Sequence, residues 1–428
     1  MAVVLCLVAA AMPFYLSSFW LQTGLFCFAA SIGAMGLNLL VGTTGQLSLA
    51  NGFFLAVGAY GYCYFAGART TTGLLKLYGL GLPSAVAAVL AVLLAGLAGL
   101  LFSPIAGRLR GIYLGVASIG LIFLGQHLLI NVLRPETGGF NGRDAQPFSL
   151  FGFSFADSNP DLFVLNVKFG AVERLWYLGL TLTVLAGLYY RNLLRSRPGR
   201  AMQTLRDSEV ASAVMGVHVI QYKARAFLVS SMYVGLAGVL LALGFRHVVP
   251  DTFGLDLSAD YLAMIVLGGL GSVAGSMIGA FFITALPLVL QTYSSAIPFL
   301  SAPGQGGVGP SEAARYLYGV AIVGVILFMP GGVVSLFRRL GRRPPGAPAP
   351  GSTVSTSTRT STNEPVAEPT TLNPHPRTEP AAEPRPEVSA SSTRTASTAP
   401  TAPTAPSTLP RRTGSPSSSR RSRPATPT

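Results

Sequence analysis

Between Gly24 and Ala66 the chain carries no charged residue, yet Gly42, Thr43, Thr44, Gly45, Gln46, Ser48, Asn51 and Gly52 break that stretch with helix breakers and hydrogen-bonding side chains. Amides and hydroxyls in apolar surroundings can hand a zwitterion along without trapping it, as a fixed charge would. Asn38, Gln46, Ser48 and Asn51 are the candidates for that role. Hydrogen bonding between helices is the other use for such residues, and the residue types alone leave both open. Other chemistry is scarce. No nucleophile–base pair or metal constellation stands out, and no G-x-x-x-x-G-K-[ST] phosphate cradle occurs. No Asp or Glu lies deep in an apolar run, where a proton-coupled carrier would need one. His127, beside Gln126 and four residues before Asn131, reads as an interhelical hydrogen-bonding residue. The pattern is that of a passive conduit that binds no cofactor itself and draws its energy from elsewhere.

The elements that position these residues follow from composition. Half of the 428 residues are hydrophobic and only 11% are charged, against about a quarter in soluble domains. Apolar runs of roughly 20 residues recur, the length that crosses a bilayer core. The fold class is an all-α polytopic membrane protein. Of the net charge of +14, residues 341–428 supply +6 through 11 Arg and 5 Glu. Elsewhere the basic residues cluster at Arg191–Arg225 and Arg338–Arg343. Short basic segments beside spans mark the cytoplasmic side, whereas a nucleic-acid site would gather basic and aromatic residues on one folded face. Membrane lipid is therefore the expected surrounding, and no nucleic acid is expected as a partner. Cys6, Cys27 and Cys63 lie in apolar runs with neither metal spacing nor a disulfide framework.

The spans read as roughly 3–20, 24–42, 46–66, 79–104, 111–133, 174–190 and 226–245, a block at 260–290, and 315–336. The N-terminus lacks a basic leader region and is read as the first span. Basic residues put the 191–225 loop, the connector near Arg108 and the C-terminus in the cytoplasm, and leave 134–173 outside. The 226–245 span leaves the cytoplasm and 315–336 returns to it, so the block 260–290 must begin and end on the outer side. It divides at Gly268, Gly269 and Gly271, as the first region divides at Gly42 and Gly45. The count becomes about ten membrane segments, some broken or re-entrant. VGTTGQLSLANGFF and LGGLGSVAGSMIGAFF share a G-x-x-G, a small or polar stretch and a Phe-Phe pair. Transporters built from two related halves carry broken helices at corresponding positions, and two halves are expected here. Close packing through small residues is the competing explanation of the glycines. Residues 1–340 are expected to form the transmembrane domain. Residues 341–428 are rich in Pro, Thr, Ser and Arg, too poor in apolar surface to offset the entropy of ordering, and are expected to be a disordered cytoplasmic tail.

The cytoplasmic loop RSRPGRAMQTLRDSEVASAVMGVHVIQYKARAF predicts a short helix at about 208–215. Asp207 suits its N-cap, Glu209 its positive dipole end, and Gly216 its C-terminal stop. Val210 and Val214, with Ala211 and Met215 beside them, give one apolar face. Two helical turns are unstable alone in water, so the helix must dock on its own protein or on a partner.

Several ordered motifs over most of residues 30–338 resemble the LivM-type permeases, the membrane subunits of branched-chain amino-acid ABC importers. They are LNLLVGTTGQLSLANGFFLAVGAY, LRGIYLGVASIG with TGGFNG, RPGRAMQTLRDSEVASAVMGV, YLAMIVLGGLGSVAGSMIGA and RYLYGVAIVGVILFMPGGV. The chain departs from the family at Ala50-Asn51, where Gly-His is usual, and at Arg143, where a hydrophobic residue is usual. The resemblance implies a bacterial cytoplasmic membrane location and a heterodimeric pore with a LivH-like second permease. It also implies two P-loop ATPase subunits that bind ATP-Mg, and an extracytoplasmic binding protein. The chain itself would be no enzyme. Its 208–215 helix would be the coupling helix, shaped by Asp207, Glu209 and Gly216 and touching an ATPase through Val210, Val214 and Met215. Urea and short-amide permeases share these motifs, and an ion-coupled secondary carrier is the reading from another class. The resemblance leaves the tail unexplained.

Overall fold

In hydrocarbon every backbone N–H and C=O must be satisfied within the protein, and a helix does so within the segment. The structure is a computed structural model. It describes residues 2–72, 75–109, 111–150, 153–155, 162–164, 167–293 and 310–328. The 341–428 tail and the Arg338–Arg343 cluster lie outside the described residues. The described helices are α1 (Ala2–Ala11), α2 (Ser18–Asn38), α3 (Asn51–Ala66), α4 (Ser84–Arg108), α5 (Ile112–His127), α6 (Arg134–Thr137) and α7 (Ala171–Arg195). They continue with α8 (Arg197–Asp207), α9 (Glu209–Val214), α10 (Val219–Phe245), α11 (Leu255–Gly268), α12 (Val273–Thr292) and α13 (Pro310–Phe328). Helices α2 and α5 each run on into a π-helical turn, Leu39–Thr43 and Leu128–Val132. Six of the described helices are long and apolar enough to cross a membrane. The protein is a polytopic helical membrane protein.

Two helices form the centre. Within their most apolar windows α2 is 89% buried and α10 78%, while α4, α5, α7 and α12 lie between 28% and 39%. The outer four therefore show their Leu, Val and Phe side chains outward, as lipid-facing helices do. Small residues let the inner ones approach. Ala87, Ala91, Ala95, Gly96 and Gly99 form the buried stripe of α4, and a β-carbon on Gly58 of α3 would collide with the Gly235 backbone of α10. Backbone contact of this kind needs small residues on both helices. Close packing thus accounts for these glycines and, at the breaks, for Gly42 and Gly268, whereas Gly45, Gly269 and Gly271 take positive φ.

The first expected span is corrected. Residues 3–20 do not form one helix: α1 ends at Ala11, Met12–Phe14 make a tight 3₁₀ turn around Pro13, and α2 begins at Ser18. Ten residues of α1 rise only about 15 Å, half the bilayer core. Proline at 13 removes a backbone donor, whereas Thr23, near the expected boundary, returns its hydroxyl to Phe19 O at 2.9 Å and stays helical. The block 260–290 divides as parity requires, into α11 and α12. Among the described residues, the connections between helices add four two-stranded antiparallel ribbons to the helical fold.

Candidate functional site

The interruption after α2 begins where the helix ends, not midway along it. From Ser18 through Thr43 the helix runs 26 residues, about 39 Å, which exceeds the bilayer core. Its last turn widens to π geometry because Thr43 and Thr44 return their hydroxyls to the carbonyls of Leu39 and Leu40. Gly45, whose N–H still reaches Val41 O at 3.2 Å, takes φ +70°, Gln46 N–H closes the helix end on Leu40 O at 3.3 Å, and the chain then runs irregularly until α3 starts at Asn51. Neighbouring helices satisfy the freed amides. Leu49 N–H donates to Ser118 Oγ of α5 at 2.8 Å, and Gly52 N–H to Ser258 Oγ of α11 at 2.8 Å. Ser48 Oγ accepts from Ala50 N–H at 3.3 Å. Ser258 lies ten residues before the end of α11, about 15 Å along its axis. The irregular segment therefore climbs back into the membrane before α3 forms.

Polar side chains on this climb are buried: Gln46 is 5%, Ser48 2% and Asn51 3% exposed. Gln46 donates to Thr44 Oγ1 at 2.9 Å. Its Oε1 and the Asn51 Nδ2 are buried and have no hydrogen-bond partner among the described residues. A buried polar group left unpaired costs about 1–3 kcal/mol. One acceptor and one donor therefore stand unused on this stretch.

The second break is shorter and fully used. Helix α11 ends at Gly268, Gly269 and Gly271 take φ +113° and +78°, and Ser272 caps α12 by accepting from Gly275 N–H at 3.2 Å. A β-carbon on Gly268 would collide with the Gly275 carbonyl, so the two helix ends close like a hairpin. Asn38 joins this break to the first. Its Oδ1 accepts from Gly271 N–H at 2.8 Å and its Nδ2 donates to Ser272 O at 3.0 Å. Both ends of the Asn38 amide are thereby occupied, which is the interhelical use of this residue.

The 195–227 loop folds further than the sequence reading: Pro198 and Gly199 lie in the first turn of α8, with Ser196 as N-cap. Met202 and Leu205 of α8, each 2% exposed, anchor it on the protein. The cap of α9 is corrected from Asp207 to Ser208, whose hydroxyl accepts from Ala211 N–H at 3.2 Å, and Asp207 is the last residue of α8. Glu209 opens α9 and pairs with Lys223 of α10 at 2.6 Å, with Lys223 only 3% exposed. Gly216 follows at φ +83°. Val210, Val214 and Met215 are 70%, 85% and 81% exposed. The apolar side of α9 is thus open, while Ser212 and Glu209 hold its other side on the protein.

Arg206 was read from sequence only as a topology determinant. In the structure its Nη1 donates to Gly42 O at 2.6 Å. Ser118 and Ser258 were also missed, because serines inside long helices look like ordinary packing residues in sequence. At the outer end Arg143, 5% exposed, donates to the carbonyls of Tyr78 and Glu136, each at 2.6 Å. Arg143–Asp144 pairs with His247–Val248 as a ribbon, closed by His247 Nδ1 and Asp144 Oδ1 at 2.6 Å. That hydrogen bond raises the His247 pKa above the ordinary imidazole value.

The family model described as "Branched-chain amino acid transport system / permease component" matches residues 21–329. The chain is 34% identical to the high-affinity branched-chain amino acid transport system permease protein LivM of Salmonella typhimurium, over 63% of each chain. It is 33% identical to LivM of Escherichia coli over 68% of each. It is also 25% identical to the probable permease protein LivH of Methanocaldococcus jannaschii, over 71% of this chain and 87% of that one. The chain spans somewhat less than two thirds of the Salmonella relative's length, at 63%. No solved structure matches it.

Proposed function

The chain belongs to the permease-component family of branched-chain amino acid transport systems, and from that premise we propose that it is a membrane-spanning subunit of an ABC importer. Its cargo is leucine, isoleucine and valine, carried inward across a bacterial cytoplasmic membrane. ATP-Mg binds and is hydrolysed on two partner ATPases, a LivH-like permease completes the pore, and an extracytoplasmic protein delivers the substrate. The observation that carries this reading is the open apolar face of α9, Val210, Val214 and Met215. A permease driven by soluble motors needs such a helix for a partner's groove, and an ion-coupled carrier does not. ATP-driven closure of the partners then reaches the spans through their differential affinity for the two states of the permease.

The membrane part comprises ten segments in two related halves, with α1 inserted only part-way, where Trp176 and Tyr177 donate to the carbonyls of Ala9 and Ala10. Support for the halves is that α2 and α11 each end at a break from which a second helix returns. The Phe-Phe pairs do not align: Phe53-Phe54 open α3, while Phe281-Phe282 lie deep in α12. Of the pathway candidates, Gln46 and Asn51 are the ones that meet the solute, Ser48 lines the route through its turn, and Asn38 frames it. The C-terminus faces the cytoplasm, and the 341–428 tail is solvated there.

The test is uptake of labelled leucine, valine and urea at low concentration in cells with and without the gene. Loss of leucine and valine uptake with urea spared supports the reading. Loss of urea uptake alone moves the cargo to urea or a short amide, the alternative carried by the same family. Purification without any P-loop ATPase attached overturns the importer.

A further inference from the structure

Arg206 ends α8 one residue before its last, and only Asp207 and Ser208 separate it from α9. Most of the side chain is exposed, yet its guanidinium reaches into the meeting point of both breaks. Its Nη1 holds Gly42 O at 2.6 Å. A β-carbon on Gly271 would lie 3.3 Å from the same Nη1 and 3.3 Å from Gly42 O, so the hinge of α11 and α12 is packed directly against that hydrogen bond. A β-carbon on Gly45 would lie 3.4 Å from Arg206 Cγ and 3.5 Å from its Cα. Glycines at 45 and 271 thus leave the space this one side chain fills, and Gly42 supplies the carbonyl it holds.

The electrostatics agree with the geometry. The π turn that finishes α2 and the end of α11 are both helix C-termini, whose free carbonyls carry partial negative charge. One cation beside both complements two dipoles at once. A guanidinium is suited to this because its planar fork spreads five donors over neighbouring acceptors. The same, N-terminal end of α9 is also tied, through Glu209, to the buried Lys223 of α10. A push on α9 therefore has two routes inward, one along α10 and one through Arg206 to the breaks.

The geometry points to Arg206 as a positioning residue that couples displacement of α9 to both helix breaks together, and so to the inner end of the transport route. This rests on the importer reading above. Asn38 ties the two breaks to each other, so a single contact from the loop moves them as a unit. With Arg206 removed, α8 remains held by Met202 and Leu205, and α9 still presents its apolar face. The partners dock and hydrolyse ATP, but their stroke no longer reaches the breaks.

The experiment uses the full transporter, with both permeases, both ATPases and the binding protein, in proteoliposomes. Leucine taken up per ATP hydrolysed is compared for the natural chain, Arg206→Ala, Arg206→Lys and Arg206→Gln. The expected result is a fall of about tenfold or more in that ratio for Arg206→Ala, with ATP hydrolysis without binding protein within about twofold of normal. Arg206→Lys restores part of the ratio, and Arg206→Gln, which keeps a donor but no charge, restores less. If Arg206→Ala does not assemble, the same ratio in the Lys and Gln variants decides. An unchanged ratio in variants that assemble overturns the proposal. So does a loss of hydrolysis and uptake in equal proportion, the mark of a merely structural residue. Failure of the natural complex to take up leucine would instead overturn the importer reading.

Discussion

The two breaks differ in what they leave open. Residues 268–272 turn within a few residues, seat Ser272 as a cap and use both groups of the Asn38 amide. Residues 44–50 take a longer irregular path, borrow Ser118 and Ser258 from two other helices, and leave Gln46 Oε1 and Asn51 Nδ2 unpaired. One region is finished by its own protein. The other keeps polar capacity in reserve at a cost in stability. A fold selected for stability alone would have filled those positions with apolar side chains, so the difference separates a hinge from the lining proposed above.

The contrast can be broken first at the hinge. Gly268→Val forces a side chain into the Gly275 carbonyl and costs about 3 kcal/mol or more. Little chain should survive in the membrane, as judged by immunoblot and by melting in detergent. Asn38→Leu comes next: it removes two hydrogen bonds and strands the Gly271 amide, for a loss of about 2–4 kcal/mol. Melting temperature and uptake should fall together. At the lining the sign reverses. Gln46→Leu and Asn51→Leu each remove an unpaired polar atom, so melting should hold or improve by about 1 kcal/mol, while leucine uptake falls. A drop in melting like that of Asn38→Leu would erase the distinction.

The smallest effect belongs to the outer ribbon, which touches neither break. His247 is raised in pKa by its hydrogen bond to Asp144. Its folded value exceeds the unfolded one, so its contribution is complete below the ordinary imidazole pKa of about 6.5. That contribution is lost as pH rises through the folded value. The protection factor of the Val248 amide, its exchange corrected for the base-catalysed intrinsic rate, should fall as pH rises above about 6.5 in the natural chain and lose that dependence in His247→Gln. Protection at Gly271 should change with neither.

Much of this could be read from residues alone. Charge-free runs gave the helices, parity required a hairpin in the block at 260–290, and GTTGQLSLANG announced a break. The break's depth could not be read, because Thr44 and Gln46 give no sign of where a helix of 26 residues began. That start depended on Pro13 and Ser17. Asp207 and Ser208 are both good caps, and only the extension of α8 through Asp207 decided between them. Arg206 was hidden among neighbouring arginines that all serve topology. Its partner is a backbone carbonyl 164 residues away, and a carbonyl has no residue type to advertise it.

The bond from Asn38 to Gly271 spans 233 residues, and this sets a schedule for synthesis. At about 5–20 residues per second, the ribosome needs roughly 10–50 s between making the amide and making its partner. For that interval α2 sits in the membrane with Asn38 and its terminal carbonyls unmatched, dependent on the insertion machinery or on lipid-bound water. A chain halted before Gly271 never leaves that state. The same polar groups that the finished protein conceals would expose an incomplete copy to the membrane's proteases.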